Sequence, residues 1–104
     1  MSEFVKVASA ADLPDPGKMT LELDDRYVVL IHTQGKYYCI DDMCTHDGGP
    51  LGDGPLEGLH LCCPRHGAQF DITTGQPLTM PATEPTAVHE VKLDGDDIFV
   101  KLND

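Results

Sequence analysis

The sequence predicts an all-β domain, a small sandwich or barrel built of antiparallel sheets. Ten glycines and eight prolines punctuate 104 residues so densely that few intervals could hold a helix of ordinary length. Between the breaks, apolar and polar residues alternate in short runs, which is the period of a half-buried strand. Pairs of such runs are joined by short turns rich in Asp and Gly, the signal of hairpins.

Residues 4–7 read as a first short strand, and residues 9–13 as one helical turn. Met19, Leu21 and Leu23 then alternate with Thr20 and Glu22, giving a strand with one buried face. Asp24 and Asp25 turn the chain. Residues 27–32 are aliphatic or β-branched on both faces and read as a central strand, joined through Thr33, Gln34 and Gly35 to a strand over 36–41. Shorter strands are expected at 59–62 and 68–70. Residues 88–93 and 98–102 flank Asp94-Gly95-Asp96-Asp97 as a second hairpin, with Ile98, Val100 and Leu102 on one face. The length supports a single domain over 1–104 with an adequate but small core.

Charge narrows the function. Seven Lys and Arg against 18 Asp and Glu give a net charge of -11, which disfavours nucleic acid and anionic membrane surfaces as partners. Residues 1–52 carry 4 basic and 9 acidic side chains and residues 53–104 carry 3 and 9, so the acidity belongs to the folded surface and not to a tail. The longest aliphatic run, residues 28–31, is too short for a membrane span, and the N-terminus lacks a secretory pattern; a soluble, cytoplasmic protein is expected.

The informative residues are Cys44-Thr45-His46 and Cys63-Pro64-Arg65-His66, two mixed pairs 16 residues apart, both in stretches rich in Gly and Pro. Three chemistries accept such a set. A disulfide framework fits poorly with a reducing compartment, and the adjacent Cys62 and Cys63 cannot readily bridge each other. Structural zinc takes two thiolates and two imidazoles, though its usual spacing pairs like with like. A binuclear [2Fe-2S] cluster with two Cys on one iron and two His on the other accounts for the mixing, because each loop then supplies one ligand to each metal.

The two segments Cys44-Thr45-His46-Asp47-Gly48-Gly49-Pro50-Leu51 and Cys62-Cys63-Pro64-Arg65-His66-Gly67-Ala68-Gln69-Phe70-Asp71, followed by Thr74-Gly75, resemble the Rieske family over nearly the whole chain. The resemblance implies a small Rieske-like fold with one [2Fe-2S] cluster held between two loops. Cys44 and Cys63 would bind the inner iron, and His46 and His66 the outer one. Two ferric ions, two sulfides and two thiolates carry no net charge, so an electron is accepted more readily than by a four-thiolate cluster. Respiratory relatives add two cysteines beside the ligands, where this chain has Gly49 and Arg65, and two hydroxyls near the cluster, where it has Ala68 and Phe70. Fewer donors to sulfur imply a potential near the low end of the Rieske range, roughly -150 mV.

The size is similar to that of soluble Rieske-type ferredoxins. The implied role is therefore a monomeric one-electron carrier, not itself an enzyme, between a flavin-dependent ferredoxin reductase and a terminal ring-hydroxylating oxygenase. Alternatives are the small subunit of a cytoplasmic nitrite reductase, whose members often lack the ligands, and a zinc-stabilised interaction domain. Protruding His46 and His66 would form the electron exit, with Gly48, Pro50, Leu51, Pro64 and Arg65 as rim. Residues 77–81 resemble the family's proline-containing shielding loop.

The remaining candidates read as structural. Cys39 sits in a strand and Cys62 would point away from Cys63, so both are expected to be inert packing residues. His32, His60 and His89 have no Cys at ligand spacing and are expected to be surface or satisfied core histidines. Asp94-Gly95-Asp96-Asp97 lacks the length and terminal Glu of an EF-hand loop, and no glycine pair opens a helix as a phosphate cradle would.

Overall fold

Nine strands in two antiparallel sheets, and one 3-10 turn, make up the residues that the computed structural model describes: 3–42, 52, 54–63, 67–78 and 85–103. In chain order these are β1 (Val5–Ser9), the 3-10 turn Ala10–Asp12, β2 (Gly17–Leu23), β3 (Arg26–Thr33), β4 (Lys36–Asp41), β5 (Leu56–Glu57), β6 (His60–Cys62), β7 (Gln69–Asp71), β8 (Val88–Asp94) and β9 (Asp97–Lys101). The larger sheet has the order β1-β9-β8-β4-β3-β2 and the smaller β5-β6-β7. Each expected strand is present, displaced by at most two residues at its ends. The expected helical turn is a single 3-10 turn, and β5 is an addition, two residues between Pro55 and Gly58 that are too few to show a period.

The hairpin turns follow from local backbone chemistry. Asp24 and Asp25 both take positive φ (52° and 64°), as do Gln34 and Gly35 (53° and 78°), so each two-residue loop has the backbone twist that matches antiparallel strands. Leu23 pairs with Arg26 across the first, and Thr33 with Lys36 across the second. In the β8–β9 turn, Gly95 has φ 63° and Asp94 pairs with Asp97. Its side chains are mostly exposed, as expected of a solvated turn.

β3 is the centre of the molecule. Val28, Val29, Leu30 and Ile31 are all 0% exposed, and each such side chain removed from water contributes roughly 1.5–3 kcal/mol before entropy is subtracted. Because successive side chains point to opposite faces, β3 serves two cores. Val28 and Leu30 pack with Leu13, Cys39, Ile98, Val100 and Leu102, inside the curl of the large sheet. Val29 and Ile31 pack with Ile40, Leu61, Cys63, Ala68, Phe70 and Ile72, which fastens the small sheet onto the outer face of β3 and β4. At the outer edge, the β1–β9 pairing shifts register between Lys6 and Ala8, a β-bulge.

Candidate metal centre

Of the four candidate ligands the structure describes Cys63; Cys44, His46 and His66 lie outside the described residues, as do Gly48, Pro50, Leu51, Pro64, Arg65 and Pro81. What the described residues define is where both ligand segments begin and end.

The second segment springs from the end of β6. The Cys63 N–H donates to the Ala68 carbonyl at 2.7 Å, and the Gly67 N–H donates back to the Cys63 carbonyl at 3.0 Å. Gly67 makes the return with φ 75°, a conformation that favours glycine. Cys63 and Gly67 are thereby held together where the second segment leaves the sheet and where it returns. Cys63 itself is 1% exposed and belongs to the apolar cluster shared by the two sheets.

The first segment, residues 43–51, leaves from Asp42 and returns at Gly52, and these two residues are tied together. The Gly52 N–H donates to Asp42 Oδ1 at 2.6 Å, and the Lys18 ammonium donates to the Gly52 carbonyl. The Asp42 N–H donates to the Tyr27 carbonyl at 2.9 Å. Gly52 leaves no room for a side chain: a Cβ would lie 2.5 Å from Thr20 Oγ1, 3.1 Å from Asp42 Oδ1 and 3.3 Å from Val29 Cγ2. Val29 also lines the cluster that holds Cys63, so the roots of the two segments share one apolar floor. A solvent-excluded thiol above that floor, with each ligand segment pinned at its base, fits a cluster whose sulfur side faces the protein interior.

Asp41, the residue before Asp42, is buried and fully engaged. Its Oδ1 accepts from His89 Nε2 at 2.7 Å, its Oδ2 from the Arg26 guanidinium at 3.3 Å, and its N–H donates to the Ala87 carbonyl at 2.9 Å. Sequence reasoning did not single out Asp41, Asp42, Arg26 or Gly52 as parts of the site. The available signal was Asp41-Asp42 closing a strongly apolar strand, where burial of a carboxylate demands partners.

The residues set aside behave as expected, with one change. Burial, with the charge of Asp41, pushes the Cys39 thiol up to about 12, so it stays protonated and unreactive. Cys62 lies on the face opposite Cys63 but joins neither apolar cluster; its thiol sits 3.8 Å from Glu57 Oε1, and burial followed by the Glu57 charge raises its pKa. His89 is a satisfied core histidine, His60 is exposed, and His32 stacks on Tyr37 at 3.9 Å and hydrogen-bonds the Leu13 carbonyl at 2.9 Å. Among the described residues no group of three or more His, Cys, Asp or Glu side chains is placed to hold a metal ion, and no helix is long and apolar enough to cross a membrane. Pro77 bridges to Phe70 and the Leu78 N–H reaches the Gln69 carbonyl at 2.7 Å, which brings the start of the 77–81 segment alongside β7.

Two segments pinned at their bases over a shared dry floor, with Cys and His in their sequence, fit an iron–sulfur electron-transfer domain. Residues 3–99 match the Rieske [2Fe-2S] domain family, and the chain belongs to it. It is similar to the ferredoxin component of the naphthalene 1,2-dioxygenase system of Pseudomonas aeruginosa, with 27% identity over 97% of both chains. It is also similar to the 3-phenylpropionate/cinnamic acid dioxygenase ferredoxin subunit of Shigella flexneri serotype 5b, with 33% identity over 88% of this chain and 87% of the relative. The fold superimposes with a TM-score of 0.88 and 28% identity, over 93% of this chain and 91% of the other, on a chain in the complex of reduced oxygenase and oxidized ferredoxin of carbazole 1,9a-dioxygenase. This is a Rieske ferredoxin that binds one [2Fe-2S] cluster and carries electrons; the catalysis of such systems belongs to other components. The structural zinc reading gives way to the cluster.

Proposed function

We propose that this chain takes single electrons from a flavin-dependent ferredoxin reductase and delivers them to a terminal ring-hydroxylating oxygenase, with Cys44 and Cys63 on the inner iron and His46 and His66 on the outer one. The observation that supports this reading is the common rooting of the two segments: Gly52 lies against Val29, and Val29 belongs to the same apolar cluster as Cys63. The bound cluster supplies a site for one electron, which no side chain of this protein offers. The chain's own part is to exclude water from the thiolate side and to fix each segment at its base. An oxygenase partner is supported by the carbazole system, where a similar ferredoxin is found in complex with its oxygenase.

The net charge of -11 points to basic docking patches on both partners, with association that slows as salt rises, and away from nucleic acid and anionic membrane surfaces. A soluble cytoplasmic monomer suits such a transient carrier. Selectivity for the aromatic or other substrate then resides in the oxygenase. The test is aerobic purification followed by iron and acid-labile sulfide analysis, EPR of the reduced protein and a redox titration. Two irons and two sulfides per chain, a rhombic signal and a potential of roughly -150 mV are expected. A colourless zinc protein, or a strongly positive potential, would contradict the assignment.

A further inference from the structure

We infer that Asp41 and His89 are positioning residues for the first ligand segment, locked by the main-chain amide of Asn103. The inference rests on the assignment of Cys44 and His46 as ligands. The His89 side chain is completely buried. Its Nδ1 accepts the Asn103 N–H at 2.9 Å, which leaves the ring proton on Nε2, and Nε2 donates it to Asp41 Oδ1 at 2.7 Å. The Asn103 side chain ties the same stretch down through its Nδ2, which donates to the Val88 carbonyl at 2.8 Å. Arg26, beside the β2–β3 turn, takes the other Asp41 oxygen, and the Asp41 N–H is held by Ala87. The bonded series thus runs from Asn103 through His89 to Asp41, and the next residue, Asp42, holds Gly52. Both ends of segment 43–51 hang from it.

Stability alone does not account for this arrangement. A buried charged group in a β core is often matched or bettered by apolar residues of similar size, and what it adds is direction, because hydrogen bonds fix position where apolar contacts only fill volume. The position fixed here is the root of the segment that carries two of the four ligands.

The variants Asn103→Ala and Asn103→Pro separate the main-chain lock from the rest. Both remove the side-chain bond to Val88, and only proline removes the N–H that fixes the His89 ring. In the cluster-loaded protein, loss of iron to bathophenanthroline should be several-fold faster for Asn103→Pro than for Asn103→Ala, with broadened rhombic EPR features. Equal rates would overturn the inference. Asp41→Leu combined with His89→Leu should recover thermal stability relative to His89→Leu alone while keeping the fast iron loss and broadened signal. If iron loss instead follows melting temperature across all variants, including Ile98→Ala as a core control at the far end of β8 and β9, the network is merely structural and the inference fails. Wild-type protein without iron or a rhombic signal would defeat the ligand assignment itself, a result distinct from loaded variants that behave like wild type.

Discussion

The two sheets are held together in different ways. The large sheet has strands of five to eight residues and closes a core from its own inner face, with Leu30, Ile98 and Val100 all at 0% exposure. The small sheet has strands of two or three residues, which could not persist alone. It is anchored through Leu61, Phe70 and Ile72 to the outer face of β3 and β4, and it carries Cys63. The large sheet is therefore expected to stand without a cofactor, whereas the small sheet rests on that scaffold and, under the proposed ligation by Cys63, on the cluster as well.

The sharpest way to break that contrast is Cys63→Ala. It should abolish cluster incorporation, read as iron per chain, and hydrogen exchange should rise at the amides of β5, β6 and β7 while those of β3, β4 and β9 stay protected. Uniform loss of protection would mean that the two sheets are one cooperative unit. A finer comparison uses neighbours on β3. Leu30→Ala and Ile31→Ala should each cost about 2–5 kcal/mol in urea unfolding, because both side chains are fully buried. Only Ile31, which faces the small sheet, should also accelerate iron loss at urea concentrations below unfolding.

The smallest effect concerns the turn after β7. Asp71 has a lowered pKa, first because the Thr73 hydroxyl donates to its Oδ1 at 2.6 Å and second because the Thr73 N–H does so at 2.8 Å. A carboxylate whose folded-state pKa is depressed contributes stability above its unfolded value, near 3.8, and loses that contribution as pH falls through the lowered value. Thr73→Val should therefore cost less than about 1 kcal/mol at neutral pH, given solvent screening. Melting curves of variant and wild type should converge once both carboxylates are protonated. A difference that persists at the acid end would assign the effect to packing of Thr73 instead.

The same contrast explains what could be read from the residues alone. β2, β3 and β4 announce themselves because period, branching and turn chemistry agree within a few residues, and β3 was legible as doubly buried from its apolar run. The ligand spacing is equally local. The pairings of β1 with β9 and of β4 with β8 are not, since nothing in either strand encodes a partner so distant in the chain. β5 has no pattern of its own and exists because Leu56 and Glu57 meet Leu61 and His60. The polar network escaped notice for the same reason: Arg26, Asp41, His89 and Asn103 lie far apart in sequence and only tertiary structure joins them.

The bulge in β1 bears on how such a protein behaves in a crowded solution. With the register broken between Lys6 and Ala8, that border of the large sheet offers no straight ladder for another chain to extend. At the opposite border, β2 places the charged Lys18 and Glu22 along the edge. Both borders thereby disfavour strand pairing between copies of the chain.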